Sequence, residues 1–304
     1  MREQHGGMGT EARRALAFDA LAGLSTGDAF GNQAFPERVV VRGPGRPAGE
    51  WAWTDDTQMA CSVLDVLLRH GTVDQADLAQ RFAERAETER DYGQGALRFI
   101  ARVKEGGYWR EVCRELFHGV GSWGNGGAMR VAPLGAYFAD DLSRAAAESA
   151  ASSEVTHAHP EGVAGGIAIG VAAAYAASQR GRDKPMEADE LISVAVAFTP
   201  KGDTRTGMEK SLQLLDRPAA EVAAKLGNGA RISAPDTVPF ALWAAATRFD
   251  DFEAAVRTCA EAGGDMDTTA AMAGGIIAAF HGTAAIPAAW AAQREPLPAW
   301  MPSA

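Results

Sequence analysis

The chain has 304 residues, 47% of them hydrophobic and 22% charged, with 39 acidic against 29 basic side chains and a formal net charge of −10. This is a globular composition with room for a sizeable core, and it excludes a disordered chain. No Lys/Arg block interrupts the negative charge, so binding to nucleic acid or to an anionic membrane through a broad basic surface is not expected. An anionic small ligand needs local help from a metal, an arginine or helix N-termini.

The three cysteines, Cys61, Cys113 and Cys259, form no C-x-x-C pair and read as buried thiols in a reducing compartment. The start, "MREQHGGMGTEARR", lacks the apolar core of a signal peptide. The most apolar run, "GVAGGIAIGVAAAYAA" from Gly162, is shorter than the roughly 20 residues that span a bilayer, and its Ala/Gly content suits close helix packing. These features predict a cytoplasmic protein without membrane contact.

In chain order, "TEARRALAFDALAGLSTG" opens with Thr10 as a candidate N-cap, sets Leu16, Ala20, Leu21 and Leu24 near one face, and is expected to stop at Gly27. "RVVVRG", Arg38 to Gly43, is the best strand candidate and stands alone. "TQMACSVLDVLLRHG" carries Met59, Val63, Val66 and Leu67 on one stripe and ends at Gly71, and "DQADLAQRFAERAE" and "YGQGALRFIARVKEG" are amphipathic in the same way. Further helices are expected at 142–153, 163–179, 187–198, 206–215, 237–248, 251–262 and 268–281. The tail "REPLPAWMPSA" reads as loop lying on the surface. With almost no alternating pattern, no repeat and no composition break, the chain reads as one all-α domain over 1–304, its ends peripheral.

Two carboxylate clusters stand out. "WTDDTQMA" sets Asp55 and Asp56 side by side, and "GGDMDTTAAMAGGI" brings Asp265, Asp267, Thr268 and Thr269 to the mouth of another apolar helix. Asp and Thr at a helix start are ordinary caps that complement the helix dipole, but one cap needs one carboxylate and each cluster supplies two. Together they offer hard oxygen donors suited to Mg²⁺, Mn²⁺ or Ca²⁺ rather than zinc. If the two helix starts face each other, a pair of divalent cations is the natural occupant. A D-x-D nucleotide-sugar motif would need an α/β domain that the helical pattern does not support.

"SWGNGGAMRVAPLG", Ser122 to Gly135, is a glycine-rich loop in which Gly124, Gly126 and Gly127 allow backbone N–H groups to approach an anion; an ordinary interhelical loop explains it equally well. It matches neither a P-loop nor a Rossmann fingerprint. In "THAHPEG", His157 or His159 is expected at a helix-entry turn, contacting a ligand or satisfying buried backbone, with metal binding the weaker idea. No ordered nucleophile triad is present, which disfavours acyl transfer.

The set "GLSTGDAFG", "WTDDTQMA", "GNGGAMRVAPLG", "THAHPEGVAGG", "LGNGARISAPDTVPFALWAA" and "GGDMDTTAAMAGGIIAAFHG", in this order, resembles the ADP-ribosylglycohydrolase family. The resemblance implies a compact, orthogonal all-α bundle with a binuclear Mg²⁺ or Mn²⁺ centre at the bottom of an ADP-ribose cleft. It carries metal-ligand roles onto Thr54, Asp55, Asp56, Asp265, Asp267 and Thr268, and ADP-ribose contacts onto Asn125, Gly126, Gly127 and His159. Asp55, Asp56 and Asp91, the last in "RDYGQG", take the catalytic roles. The implied reaction is removal of ADP-ribose from modified protein side chains, with an arginine-type linkage favoured. Serine, O-acetyl-ADP-ribose, polymer or modified-base linkages, or a binding protein without catalysis, are the alternatives. Many members carry a metal-site glutamate after G-D-x-x-G. Phe35 stands there in this chain, with Gln33 and Glu37 out of register, so that role is not transferred.

Overall fold

The computed structural model describes residues 8–36 and 49–303, so the strand candidate at 38–43 and Glu37 lie outside the described residues. The described residues hold fifteen α-helices and no strand beyond isolated bridges, the expected all-α class. They are α1 (Thr10–Ala34), α2 (Asp55–His70), α3 (Gln75–Arg85), α4 (Gln94–Lys104), α5 (Trp109–Glu115), α6 (Ala132–Tyr137), α7 (Leu142–Glu154), α8 (Pro160–Ser178), α9 (Ala188–Phe198), α10 (Asp203–Ser211), α11 (Ala219–Leu226), α12 (Ala234–Thr247), α13 (Phe252–Glu261), α14 (Met266–His281) and α15 (Ala288–Gln293). A 3₁₀ turn, Asn125–Gly127, precedes α6. The helices absent from the sequence expectation are α5, α6, α11 and α15, each of only six to eight residues and too short to display a helical period.

The centre of the bundle is α1 lying against α14. Gly27 does not stop α1, which continues to Ala34. It serves contact instead: a Cβ at Gly27 would lie 2.2 Å from the Ala270 carbonyl oxygen, one at Gly23 2.3 Å from that of Gly274, and one at Gly31 2.4 Å from that of Met266. The spacing of four places these glycines on one face, so the two backbones meet directly. Around this pair, α8 packs against α6, α7, α9, α12 and α14. It is the described helix long and apolar enough to cross a membrane, and 78% of its most apolar window is buried inside the bundle. All three cysteines are buried and free.

α2 begins two residues earlier than the apolar period suggests, because Thr54 caps it by accepting from the backbone N–H of Asp56. At its far end Gly71, at φ +69°, closes the helix by donating to the Leu67 carbonyl. The segment entering α2 is fixed by the C-terminal tail. Trp51 N–H donates to Gln293 O at 2.7 Å, and Glu295 N–H donates to Trp51 O at 2.9 Å. Arg90, almost fully buried, donates to both Glu295 carboxylate oxygens at 2.8 Å and to Trp53 O at 3.0 Å, with its guanidinium 3.6 Å from the Trp53 ring. Removing one member of so buried a pair costs about 3–5 kcal/mol, so the tail anchors the start of α2 rather than merely lying on the surface.

Gly27→Ala separates the two roles of that residue. Helix propensity alone favours alanine by about 1 kcal/mol. The contact with the Ala270 carbonyl predicts instead a loss of about 1–3 kcal/mol, read by denaturant unfolding. Gly9→Ala, with nothing within 4 Å of the added Cβ, is the matched control and is expected to move stability little.

Candidate active site

One residue past Gly27, Asp28 points from the interior of α1 at the start of α2. It is fully buried and takes four donors there: Thr54 N–H at 3.1 and 3.0 Å to its two oxygens, Thr54 Oγ1 at 2.9 Å, Thr57 N–H at 3.1 Å and Thr57 Oγ1 at 2.5 Å. A carboxylate from one helix thus caps another, where the helix dipole favours negative charge. Burial still outweighs these bonds and pushes the Asp28 carboxyl up to about 6.

Asp55 and Asp56, the first two residues of α2, are both buried, and the Asp55 backbone N–H donates to Arg90 O at 2.8 Å. Burial, followed by the charge of Asp28 and then of the neighbouring aspartates, holds both carboxyls well above the usual range. Asp56 Oδ2 is enclosed without a hydrogen-bond partner. From the other side, α14 brings Asp267, raised by burial and by Asp265 and Asp28. Asp265, just ahead of that helix, is raised by burial but accepts from Asn125 Nδ2 at 2.6 Å and shares a hydrogen bond with Asp267. The two helix starts do face each other, and five aspartates meet there without a cationic side chain between them among the described residues. No three of them converge on one point as a ready coordination sphere.

Above this cluster opens a cleft of about 610 Å³. Asp55, Asp56, Asp267 and Thr268, all buried, form its floor with the half-buried Asp265; Asn125, Gly126, Arg130 and His157 line its wall; Asp91, Phe117, Trp123 and Ile232 stand at the exposed mouth. Thr54 lies behind the floor with its hydroxyl proton given to Asp28. Gly127 faces away, where a Cβ would meet Ser153 Oγ at 3.0 Å. His159 also lies off the cleft wall: it caps α8 by accepting from Glu161 N–H at 3.1 Å and sits edge-on to Trp123. Phe35 ends α1, half-buried and outside the cleft lining, and Gln33 is exposed. A more open depression of about 730 Å³, near His70 and Trp109, is larger but has no comparable cluster.

The mouth is conformationally unusual. Among the described residues the non-glycine positions at positive φ are Asp91 (67°), Phe117 (54°), His118 (60°) and Ile232 (51°), and three of these four border the cleft. Such backbone costs about 1–2 kcal/mol per residue and gathers at functional sites. Sequence reasoning assigned no role to Asp28 or Arg130. Asp28 carried a signal in "GLSTGDAFG", where an acid is flanked by the small residues of a helix face that permits close approach.

These features coincide with one family. The model of the ADP-ribosylglycohydrolase family matches residues 9–303, and the chain belongs to that family, hydrolases of ADP-ribosyl bonds. Among curated proteins, the chain is 30% identical to ADP-ribosylhydrolase ARH3 of Gallus gallus over 89% of this chain and 86% of that one. It is 29% identical to ARH3 of Homo sapiens over 81% and 77%, and 28% identical to ADP-ribosylarginine hydrolase Tri1 of Serratia proteamaculans over 89% and 73%. A solved structure described as an ADP-ribosylglycohydrolase-related protein complex superposes with a TM-score of 0.63 at 26% identity, covering 92% of each chain.

The raised carboxyls fix a sign for the pH dependence of stability. Asp28 binds its proton more tightly folded than unfolded. Its contribution is therefore fully present below the unfolded value of 3.8 and lost as pH rises through about 6. In chelator-containing buffer the melting temperature is expected to rise by a few degrees from about pH 7.5 to about pH 5.5. A melting temperature that falls over that window would contradict the burial-driven rise of the Asp28 carboxyl.

Proposed function

We propose that the protein is a metal-dependent hydrolase that releases ADP-ribose by cleaving the glycosidic bond at ribose C1, with an arginine-type N-linkage on protein side chains as the favoured substrate. The observation that carries this reading is the uncompensated carboxylate floor beneath a cleft large enough for a nucleotide-sized ligand.

The donor set fits two Mg²⁺ or Mn²⁺ ions. Every group in reach is a hard oxygen, and Asp56 Oδ2 is an enclosed acceptor lacking a donor. Asp55, Asp56, Asp265, Asp267 and Thr268 would hold the ions. Thr54 would add to them only a remaining lone pair, its proton being committed to Asp28. Because no three carboxylates converge, each ion would keep water in part of its shell, as Mg²⁺ commonly does. Bound there, the ions supply Lewis-acid charge that orients ribose hydroxyls and a water.

The chain's own residues do the rest. The anionic floor favours positive charge developing at C1 as the bond to the leaving group breaks. Asp55 or Asp56 takes a proton from the attacking water as its oxygen bonds to C1. The bond pair departs with the guanidinium nitrogen, giving a neutral guanidine that regains a proton from solvent, and Asp91, exposed at the mouth with its carboxyl raised by partial burial, is placed to meet that group. Asn125 and Gly126 offer polar contacts on the wall, and the exposed rings of Trp123 and Phe117 offer stacking surfaces for the base. The relative named ADP-ribosylarginine hydrolase supports an arginine linkage. An O-linked substrate is the second reading, kept because the relatives of 30% and 29% identity cited above are named as ADP-ribosylhydrolases without mention of arginine.

The decisive assay follows ADP-ribose release from arginine- and serine-modified peptides and from O-acetyl-ADP-ribose with Mg²⁺, Mn²⁺ or chelator. Release with a divalent ion and its loss in chelator is expected, and silence across the panel would overturn the reading. Asp55→Ala is expected to lower kcat by at least about a hundredfold and to reduce bound metal; wild-type turnover and metal content would remove Asp55 from the site. Trp123→Ala is expected to raise KM about tenfold with a smaller change in kcat, as loss of a stacking contact does.

A further inference from the structure

We propose that Arg130 and Thr156 act as a positioning relay that fixes His157 as its Nε2–H tautomer, presenting a permanent neutral donor beside the glycine loop to anionic oxygens of a ligand in the cleft. Only the identity of that ligand rests on the ADP-ribose reading.

Arg130 is the anomaly that leads to it. It is fully buried, and no carboxylate pairs with it among the described residues. Its guanidinium lies 4.6 Å from the Phe82 ring, and Nη2 donates to Ser152 O at 2.7 Å and to Thr156 Oγ1 at 2.9 Å. Arginine only donates, so it uses a lone pair of the Thr156 hydroxyl and leaves the hydroxyl proton to be placed. The partner on the other side is His157 Nδ1, 2.8 Å away. If Nδ1 carried a proton, Thr156 would receive two donors and its own buried proton would have no acceptor, a costly arrangement. The satisfied arrangement runs in one direction: Arg130 donates to Thr156, Thr156 donates to Nδ1, and the imidazole proton sits on Nε2.

The free edge of the ring then faces the glycine loop. A Cβ at Gly126 would lie 3.1 Å from His157 Cε1 and 3.4 Å from Nε2, and one at Gly124 3.3 Å from Nε2. Nε2 has no hydrogen-bond partner among the described residues, while His157 itself lines the cleft. Burial and the Arg130 charge, which push the imidazole down to about 3, are consistent with a neutral ring.

The test reads the tautomer directly. Long-range ¹H–¹⁵N spectra of the whole chain, with His157→Asn to assign the signal, are expected to show neutral Nε2–H at neutral pH. Thr156→Ser keeps the hydroxyl and should keep that signature. The near-isosteric Thr156→Val should mix the tautomers and weaken ADP-ribose binding, measured calorimetrically with Mg²⁺, by the inverse of the Nε2–H fraction that remains, about twofold for an even mixture. Arg130→Lys, less safe for folding, is the second disruption. An Nδ1–H or imidazolium signal in the wild-type protein, or a Thr156→Val spectrum and affinity equal to wild type, overturns the relay. Wild-type Nε2–H with no ADP-ribose binding supports the relay and overturns the ligand reading instead.

Discussion

The direct contact between α1 and α14 is the constraint from which the site follows. A Cβ on Gly31 would fall 2.5 Å from the Cα of Asp267, so only glycine lets α1 lie flat on the first turn of α14. That closeness delivers Asp28, three residues back on α1, into the group formed by Asp55, Asp56, Asp265 and Asp267. Apolar burial along the same interface, with Leu21, Leu24, Ala271 and Ile276 fully enclosed, has to outweigh the repulsion among the carboxylates. Packing and charge are set by the same few residues, so relieving one by mutation disturbs the other.

Asp28 then plays two parts that pull in opposite directions. Its bonds from Thr54 and Thr57 hold the start of α2, which orients Asp55 and Asp56. Its charge raises the carboxyls of those same residues. A neutral acceptor would remove the repulsion but could not take four donors equally well, because an amide turns a donor toward some of them. The site keeps an arrangement that is strained electrostatically, while the hydrogen bonds to Asp28 hold the start of α2 in place.

How much of this could be read from the chain depended on range. Asp55, Asp56, Asp265 and Asp267 were legible because helix starts have local signatures and each cluster held more carboxylate than a cap needs. Their facing each other was not legible, since it depends on where α1, α2 and α14 cross. Gly27 was misread as a stop because a glycine after a helical run is locally a terminator, whereas its role here is contact with a helix more than two hundred residues away. His157 and His159 show the same limit: two histidines in one turn divide the work, one capping α8 and the other lining the cleft, and nothing in "THAHPEG" says which does which. The short helices α5, α6, α11 and α15 were lost for want of length, without consequence for the site.

The cleft has opposite electrostatic ends despite the chain's excess of acid. Its floor is a cluster of carboxyl groups with no cationic side chain between them among the described residues. Its wall carries Arg130, whose charge is sunk behind Thr156 and His157 rather than exposed. Arg231, at the mouth, is already paired with Asp236 and contributes little net field. An unpaired arginine at the surface of this wall would be free to fold back onto the aspartates and neutralise the floor. Held against Phe82 and Ser152, it cannot, and His157 borders the cleft on the far side of Thr156. Burying the positive charge therefore keeps the carboxylate floor free of a competing arginine while a hydrogen-bonding wall stands a few side chains away.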